Sequence, residues 1–217
     1  QKIQVQSNGG LIVAIISNSV TIADAGAFSV DLGAMTLIKT ITASSSNTVS
    51  FVDGASSVVF DNTYPIYKFE FINIHPANND VDFAVGFRDA GTAYDAIKTT
   101  SYFRASHGEN ADPASVQYEA AADLAQNTGD QKLSKSGIGN GGDESLSGEM
   151  YVFNPASTTF VTHFMARTHY YGHDDQSSDD YIAGYCNLTG YLDGVQFSFS
   201  GGAIESGKIK LYGIKDS

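Results

Sequence analysis

Apolar and polar residues alternate with a period of two through most of this chain, in short runs. The pattern is cleanest near the C-terminus, in GVQFSFSGGAIESGKIKLYGI, residues 194–214. Val195, Phe197 and Phe199 alternate with Gln196, Ser198 and Ser200. Ile209 and Leu211 alternate with Lys208, Lys210 and Tyr212. Successive side chains of a strand point to opposite faces, so each run predicts a strand with one apolar and one polar face. Gly201-Gly202 and Ser206-Gly207 are turn signals, and the stretch reads as a closing pair of strands.

The same pattern recurs upstream. Residues 37–41, 49–52, 66–74, 81–87, 101–105, 116–118, 150–153, 160–165 and 181–186 are strand candidates. In 66–74, Tyr67, Phe69 and Phe71 share a face opposite Lys68 and Glu70. In 160–165, Phe160 and Phe164 share one. The short break at 75–80 predicts that its two flanking strands pair with each other. Residues 119–126 (EAAADLAQ) predict one or two helical turns, 137–142 (GIGNGG) a flexible loop and 170–180 a polar loop. About ten to thirteen short strands with almost no helical periodicity predict an all-β chain. The expected arrangement is an antiparallel β-sandwich, jelly-roll-like, with a closed barrel as the alternative.

Residues 1–35 differ. Lys2 is their only basic residue, and LIVAII at 11–16 has no partner in its local pattern. This segment predicts a short N-terminal β arm or extra strands, separate from a sandwich domain at 36–217. LIVAII is either a central strand of the same domain or an arm that pairs with a neighbouring subunit by strand addition. An uncovered apolar strand is an edge liability. Leu11, Ile12, Val13, Ile15 and Ile16 are therefore candidate contacts to sister subunits or a larger particle, with a homo-oligomer, most simply a trimer, expected. Six apolar residues fall far short of the roughly 20 that a membrane span needs.

Charged residues make up 17% of the chain and the net charge is -12. A nucleic-acid binder needs clustered basic side chains, so nucleic acid is not an expected partner. The single cysteine, Cys186, excludes an intrachain disulfide and is expected as a small buried apolar residue.

Candidate chemistry is sparse. Asp174, Asp175, Asp179 and Asp180 cluster in a way that would suit calcium, yet the order of a calcium-binding loop is missing. The expected reading is a solvated acidic loop without a cofactor, calcium being the one ion it would suit. GIGNGG is followed by Asp143 and Glu144 rather than by an apolar helix, so it is not a phosphate loop. No GxSxG elbow or HEXXH motif is present, and no enzyme is expected. The best binding feature is the tyrosine-rich stretch from 170 to 191. Tyr170, Tyr171 and Tyr181 are candidate glycan contacts, since aromatic rings stack on sugar faces and a phenol adds a hydrogen-bonding hydroxyl.

Four segments carry a family resemblance: TLIKTITASSSNTVSFVDG (36–54), YPIYKFEFINIHPANNDVDF (64–83), GEMYVFNPASTTF (148–160) and FSGGAIESGKIKLYGIK (199–215). They resemble virion structural proteins of tailed phages from aquatic environments, of the capsid-decoration or tail-fibre type. The resemblance implies a β-rich component of the virion surface, partnered by capsid or tail proteins and without catalytic residues. Residues 1–35 would then be the attachment or oligomerisation segment. A carbohydrate- or host-receptor-binding module is the alternative expectation.

Overall fold

Alternation at this density produces strands throughout. The structure, a computed structural model, describes residues 3–8, 11–17, 20–24, 27–28, 34–110, 114–135, 137–188 and 190–216, with side chains from residue 34 onward. The described residues are all-β and antiparallel; they include no helix, and so none long and apolar enough to cross a membrane. The expected helical turns at 119–126 are a single turn at 120–122 followed by irregular chain that bends at 125–126.

The chain divides into two compact units, Gln1–Met35 and Thr36–Asp216. The first is a four-stranded meander in chain order, β1 (Ile3–Asn8), β2 (Leu11–Ser17), β3 (Val20–Asp24) and β4 (Ala27–Phe28). LIVAII lies in β2 and is paired on both sides: Ile15 sits opposite Val5 of β1 and Ala23 of β3. The expectation of an unpartnered strand is therefore corrected, because the segments flanking LIVAII supply its ladders. The side chains of Leu11, Ile12, Val13, Ile15 and Ile16 lie outside the described residues.

The second unit is a two-sheet sandwich. Its strands are β5 (Met35–Thr42), β6 (Val49–Val52), β7 (Ile66–Pro76), β8 (Phe83–Arg88), β9 (Lys98–Gly108), β10 (Ser115–Tyr118), β11 (Gln131–Lys132), β12 (Leu146–Phe153), β13 (Thr162–Tyr171), β14 (Gln176–Cys186), β15 (Gly194–Phe199) and β16 (Ile204–Ile214). The large sheet runs β10-β9-β14-β13-β12-β7-β16-β5, and the small sheet β11-β8-β15-β6. β9–β10 and β13–β14 are insertions between strands of the facing quartets β5-β16-β7-β12 and β6-β15-β8-β11, and they widen only the large sheet.

Aromatic rings fill the space between the sheets. Phe197 of β15 meets Phe69 and Phe71 of β7 edge-on at 5.3 and 5.1 Å between centroids, and stacks on Phe83 of β8 at 5.7 Å. Edge-to-face pairs of this kind add to the area they bury. Phe87 and Phe164 close the next layer at 4.8 Å.

This packing corrects two expected pairings. β15 and β16 do not form a hairpin, and neither do β7 and β8; each pair splits between the sheets. Their apolar faces meet across the core instead of lying edge to edge, and a glycine with φ of 75°, Gly202, turns the chain from one sheet to the other. Two further expectations change. Phe160 precedes β13 and is 72% exposed rather than sharing the buried face of Phe164. The polar loop at 170–180 shrinks to the Gly172–Asp175 connection, because β13 and β14 pair as far as Tyr171 opposite Ser177.

Candidate functional site

The segment 119–135, which includes β11 at the edge of the small sheet, packs on the inner side of β9. Thr100 Oγ1 donates to Gln131 Oε1 at 2.6 Å, and Ala122 and Leu133 are buried. Residues of opposite phase on the strands of the large sheet form the outer face. A single cross-strand row there joins Tyr118, Phe103, Tyr181, Arg167, Glu149, Glu70 and Lys210, one from each of seven adjacent strands. The next row joins Ser101, Ala183, Met165, Tyr151 and Lys68, and the one after it Thr99, Tyr185, His163 and Phe153.

The centre of the first row is held rigidly. Phe103 and Tyr181 stack at 4.9 Å with planes 5° apart, and the Arg167 guanidinium lies 4.9 Å from the Tyr181 ring centre. Arg167 Nε and Nη2 donate to the two oxygens of Asp179 at 3.0 and 2.7 Å, and the Tyr181 hydroxyl donates to Asp179 Oδ2 at 2.9 Å. Paired donors of this kind hold the guanidinium plane as well as its charge. They also set the protonation of the pair: the Arg167 hydrogen bonds hold the Asp179 carboxyl below its usual range, and the same bonds raise Arg167.

A second anchor stands on β12 and β7. Lys68 Nζ bridges Glu70 and Glu149 at 3.0 Å each, and the Tyr151 hydroxyl donates to Glu149 Oε2 at 3.2 Å. Burial disfavours the Lys68 charge, but hydrogen bonds to Glu149 and Glu70 outweigh it and raise its pKa. Tyr151 and Phe153 lie near-parallel, 19° apart with centroids at 6.4 Å.

Between these anchors lies a shallow cleft of about 320 Å³, lined among others by Phe103, Tyr181, Arg167, Glu149, Tyr151 and Met165 over small residues Ser101 and Ala183. A cleft of about 450 Å³ flanks the other side of the Arg167 row, and one of about 660 Å³ continues past Met165 to Phe153, His163 and Tyr185. Phe103 and Met165 are 45% and 53% exposed, so the apolar surface is open to a ligand.

Of the expected glycan contacts, Tyr181 lies at the centre of this face. Tyr171 is on the same face at the far end of β13, its hydroxyl donating to Asp175 Oδ1 at 3.1 Å. Tyr170 points the opposite way and is fully buried, so it is not a surface contact. Phe103, Arg167 and Tyr151 belong to this face without having been among the expected contacts. The available signal was phase: in KTTSYFRASHG the buried Tyr102 forces its neighbour Phe103 outward.

The acidic cluster is also dispersed. Asp179 faces outward to Arg167, while the next residue, Asp180, faces inward and is fully buried. Asp174 accepts from Gln176, and Asp175 from Tyr171. Among the described residues, no three His, Cys, Asp or Glu converge on a common metal position. Asp180 instead accepts a hydrogen bond from the Tyr102 hydroxyl and belongs to an interior polar group with Tyr170 and Arg104, the latter paired with Glu119 at 3.2 Å. Burial pushes the Asp180 carboxyl up to about 7. Cys186 is fully buried, and burial pushes its thiol up to about 12, leaving it protonated near neutrality.

No family model, no curated protein and no solved structure matches this chain.

Proposed function

We propose that the protein is a non-enzymatic carbohydrate-binding module and that the outer face of the large sheet is its recognition surface. The stack of Phe103 on Tyr181, fixed from below by Arg167 and Asp179, carries this reading. Tyr181 is flanked by Phe103 and Arg167, so the exposed Phe103 and the ring edges form a prearranged apolar surface for the C–H groups of a sugar, and binding there freezes few side chains. Glu149, Ser101 and the Tyr181 hydroxyl stand beside it for sugar hydroxyls. A glycan array probed with the full chain tests this. Binding is expected to fall in Phe103→Ala and Tyr181→Ala with the fold unchanged by circular dichroism; equal signals from these variants and the parent chain would count against it.

A second reading places the module on a phage particle, as a capsid-decoration or tail-fibre component. The division of the chain at Met35 into two compact units favours it, since attachment and recognition then fall to separate parts. We also read the eight facing strands as a jelly roll, because the orders β5-β16-β7-β12 and β6-β15-β8-β11 are those of two interleaved Greek keys. Removing residues 1–35 is expected to abolish particle binding while residues 36–217 remain folded. Normal decoration by the truncated protein would defeat the attachment role.

A further inference from the structure

We infer that the outer face takes an uncharged glycan of more than one sugar ring, laid across the strands from Phe103 towards Tyr151; this rests on the carbohydrate reading above.

The charge of the ligand follows from how the cations of the face are committed. Among the described residues, Arg167 is the only Lys or Arg lining the cleft between the anchors. Two of its nitrogens are occupied by Asp179 and its flat side by Tyr181. Lys68, one row away, is shared between Glu70 and Glu149. The flanking cleft of about 450 Å³ sets Glu70, Glu149 and Asp179 against Arg167 and His169. The His169 ring is engaged in turn, with Nε2 at 2.9 Å from Ser177 Oγ. A sugar carboxylate or sulfate in these two clefts would meet this excess of carboxylates with no uncommitted Lys or Arg among their lining residues, Lys210 at the end of the row lining neither, and unpaired like charge is costly where water is displaced. A neutral sugar avoids that cost, because its hydroxyls donate to Glu149 and to the hydroxyl oxygens of Tyr181 and Ser101, whose own protons go to Asp179 and the Ala183 carbonyl.

The length of the ligand follows from the spacing of the aromatic surfaces. Phe103 is on β9 and Tyr151 on β12, three inter-strand steps apart through β14 and β13. At about 4.8 Å per step the two lie about 14 Å apart across the strands, with a further offset of two residues along them. Both line the same cleft, and the floor between them is kept low by Ser101 and Ala183. A single ring covers one surface; a short oligosaccharide reaches both.

Titration calorimetry of the full chain separates the possibilities. Cellohexaose, maltohexaose and mannohexaose are the neutral probes; oligogalacturonate and a chondroitin sulfate hexasaccharide are the acidic ones, all at low salt. At least one neutral hexasaccharide is expected to bind, and the acidic probes not to bind. Phe103→Ala and Tyr151→Ala are each expected to weaken the hexasaccharide about tenfold or more, whereas the matching disaccharide should respond to only one of them. Both side chains are at least partly exposed, and thermal melts confirm that the variants fold. Acidic probes bound in a Phe103-dependent way would overturn the charge inference and leave the carbohydrate reading standing. Equal loss for disaccharide and hexasaccharide in both variants would overturn the extended ligand. Silence from every probe would overturn both, and self-association in sedimentation that Phe103→Ala abolishes would give the face to a second copy of the chain.

Discussion

Phe103 and Tyr181 are direct partners in the β9–β14 ladder, and their rings stack 4.9 Å apart on the solvent side of the sheet. Each restricts the other before any ligand arrives. A double-mutant cycle of Phe103→Ala and Tyr181→Ala, read by urea unfolding, is expected to give a coupling of about 0.5–1 kcal/mol, the low side of the range for aromatic pairs because this one is exposed. Purely additive losses would mean that the rings are independent in solution.

Arg167→Lys tests the support beneath the stack. A lysine cannot make the paired contact with Asp179 or lie flat on Tyr181. The Asp179 carboxyl, held low by Arg167, should rise in an NMR titration of this variant. The sign is that of a depressed acid: its contribution to stability is present above the unfolded pKa and is lost as pH falls through the folded one. The variant should lose that acid-side dependence, with little change in the unfolding midpoint at neutral pH because Arg167 is largely solvated.

Asp180 behaves in the opposite sense. Its carboxyl titrates near 7 in the fold against an ordinary value of 3.8. Between those values the folded chain keeps a proton that the unfolded chain has released, so its contribution to stability falls as pH rises and is gone above about 7. The full swing is on the order of 4 kcal/mol. Melting temperatures of Asp180→Asn between pH 4 and 8 should be flatter than those of the parent chain and should exceed them on the alkaline side. The amide keeps an oxygen for the Tyr102 hydroxyl and carries no charge to bury.

Phe197 is the ring on which both sheets close. It contacts Phe51, Phe69, Phe71 and Phe83 and is fully buried. Phe197→Ala is expected to cost about 3–5 kcal/mol in chemical unfolding, by lost burial and the cavity left behind. Phe160→Ala, at a residue 72% exposed, should cost less than about 0.5 kcal/mol.

Alternation made the strands and their inward faces legible: Tyr67, Phe69 and Phe71 are buried, as are Phe83, Val85 and Phe87. It could not tell which sheet a strand joins. β15 and β16 have the alternation of a hairpin, and strands facing each other across a core have the same one. Polar residues at inward positions were harder still. Tyr170 and Asp180 read as loop because their buried positions are tolerable only through each other, Tyr102 and Arg104, which are distant in sequence. The outer face was half visible. Tyr181 stood out by composition, whereas Phe103 and Arg167 become neighbours only once the β9–β14–β13 register is known.

Phe103, Tyr181 and Arg167 all lie on β9, β14 and β13, the strands inserted between members of the two facing quartets. The aromatic and guanidinium end of the ligand face is thus written outside the quartets that close the sandwich, and β12, with Glu149 and Tyr151, is the quartet strand that joins the two. Exchanging the hairpin of residues 162–186 for another of equal length and inward pattern would change what the face selects while the order of the quartets stays the same. The protein is built like a tool with a replaceable head, and variation among sister sequences should concentrate at the outward positions of those three strands.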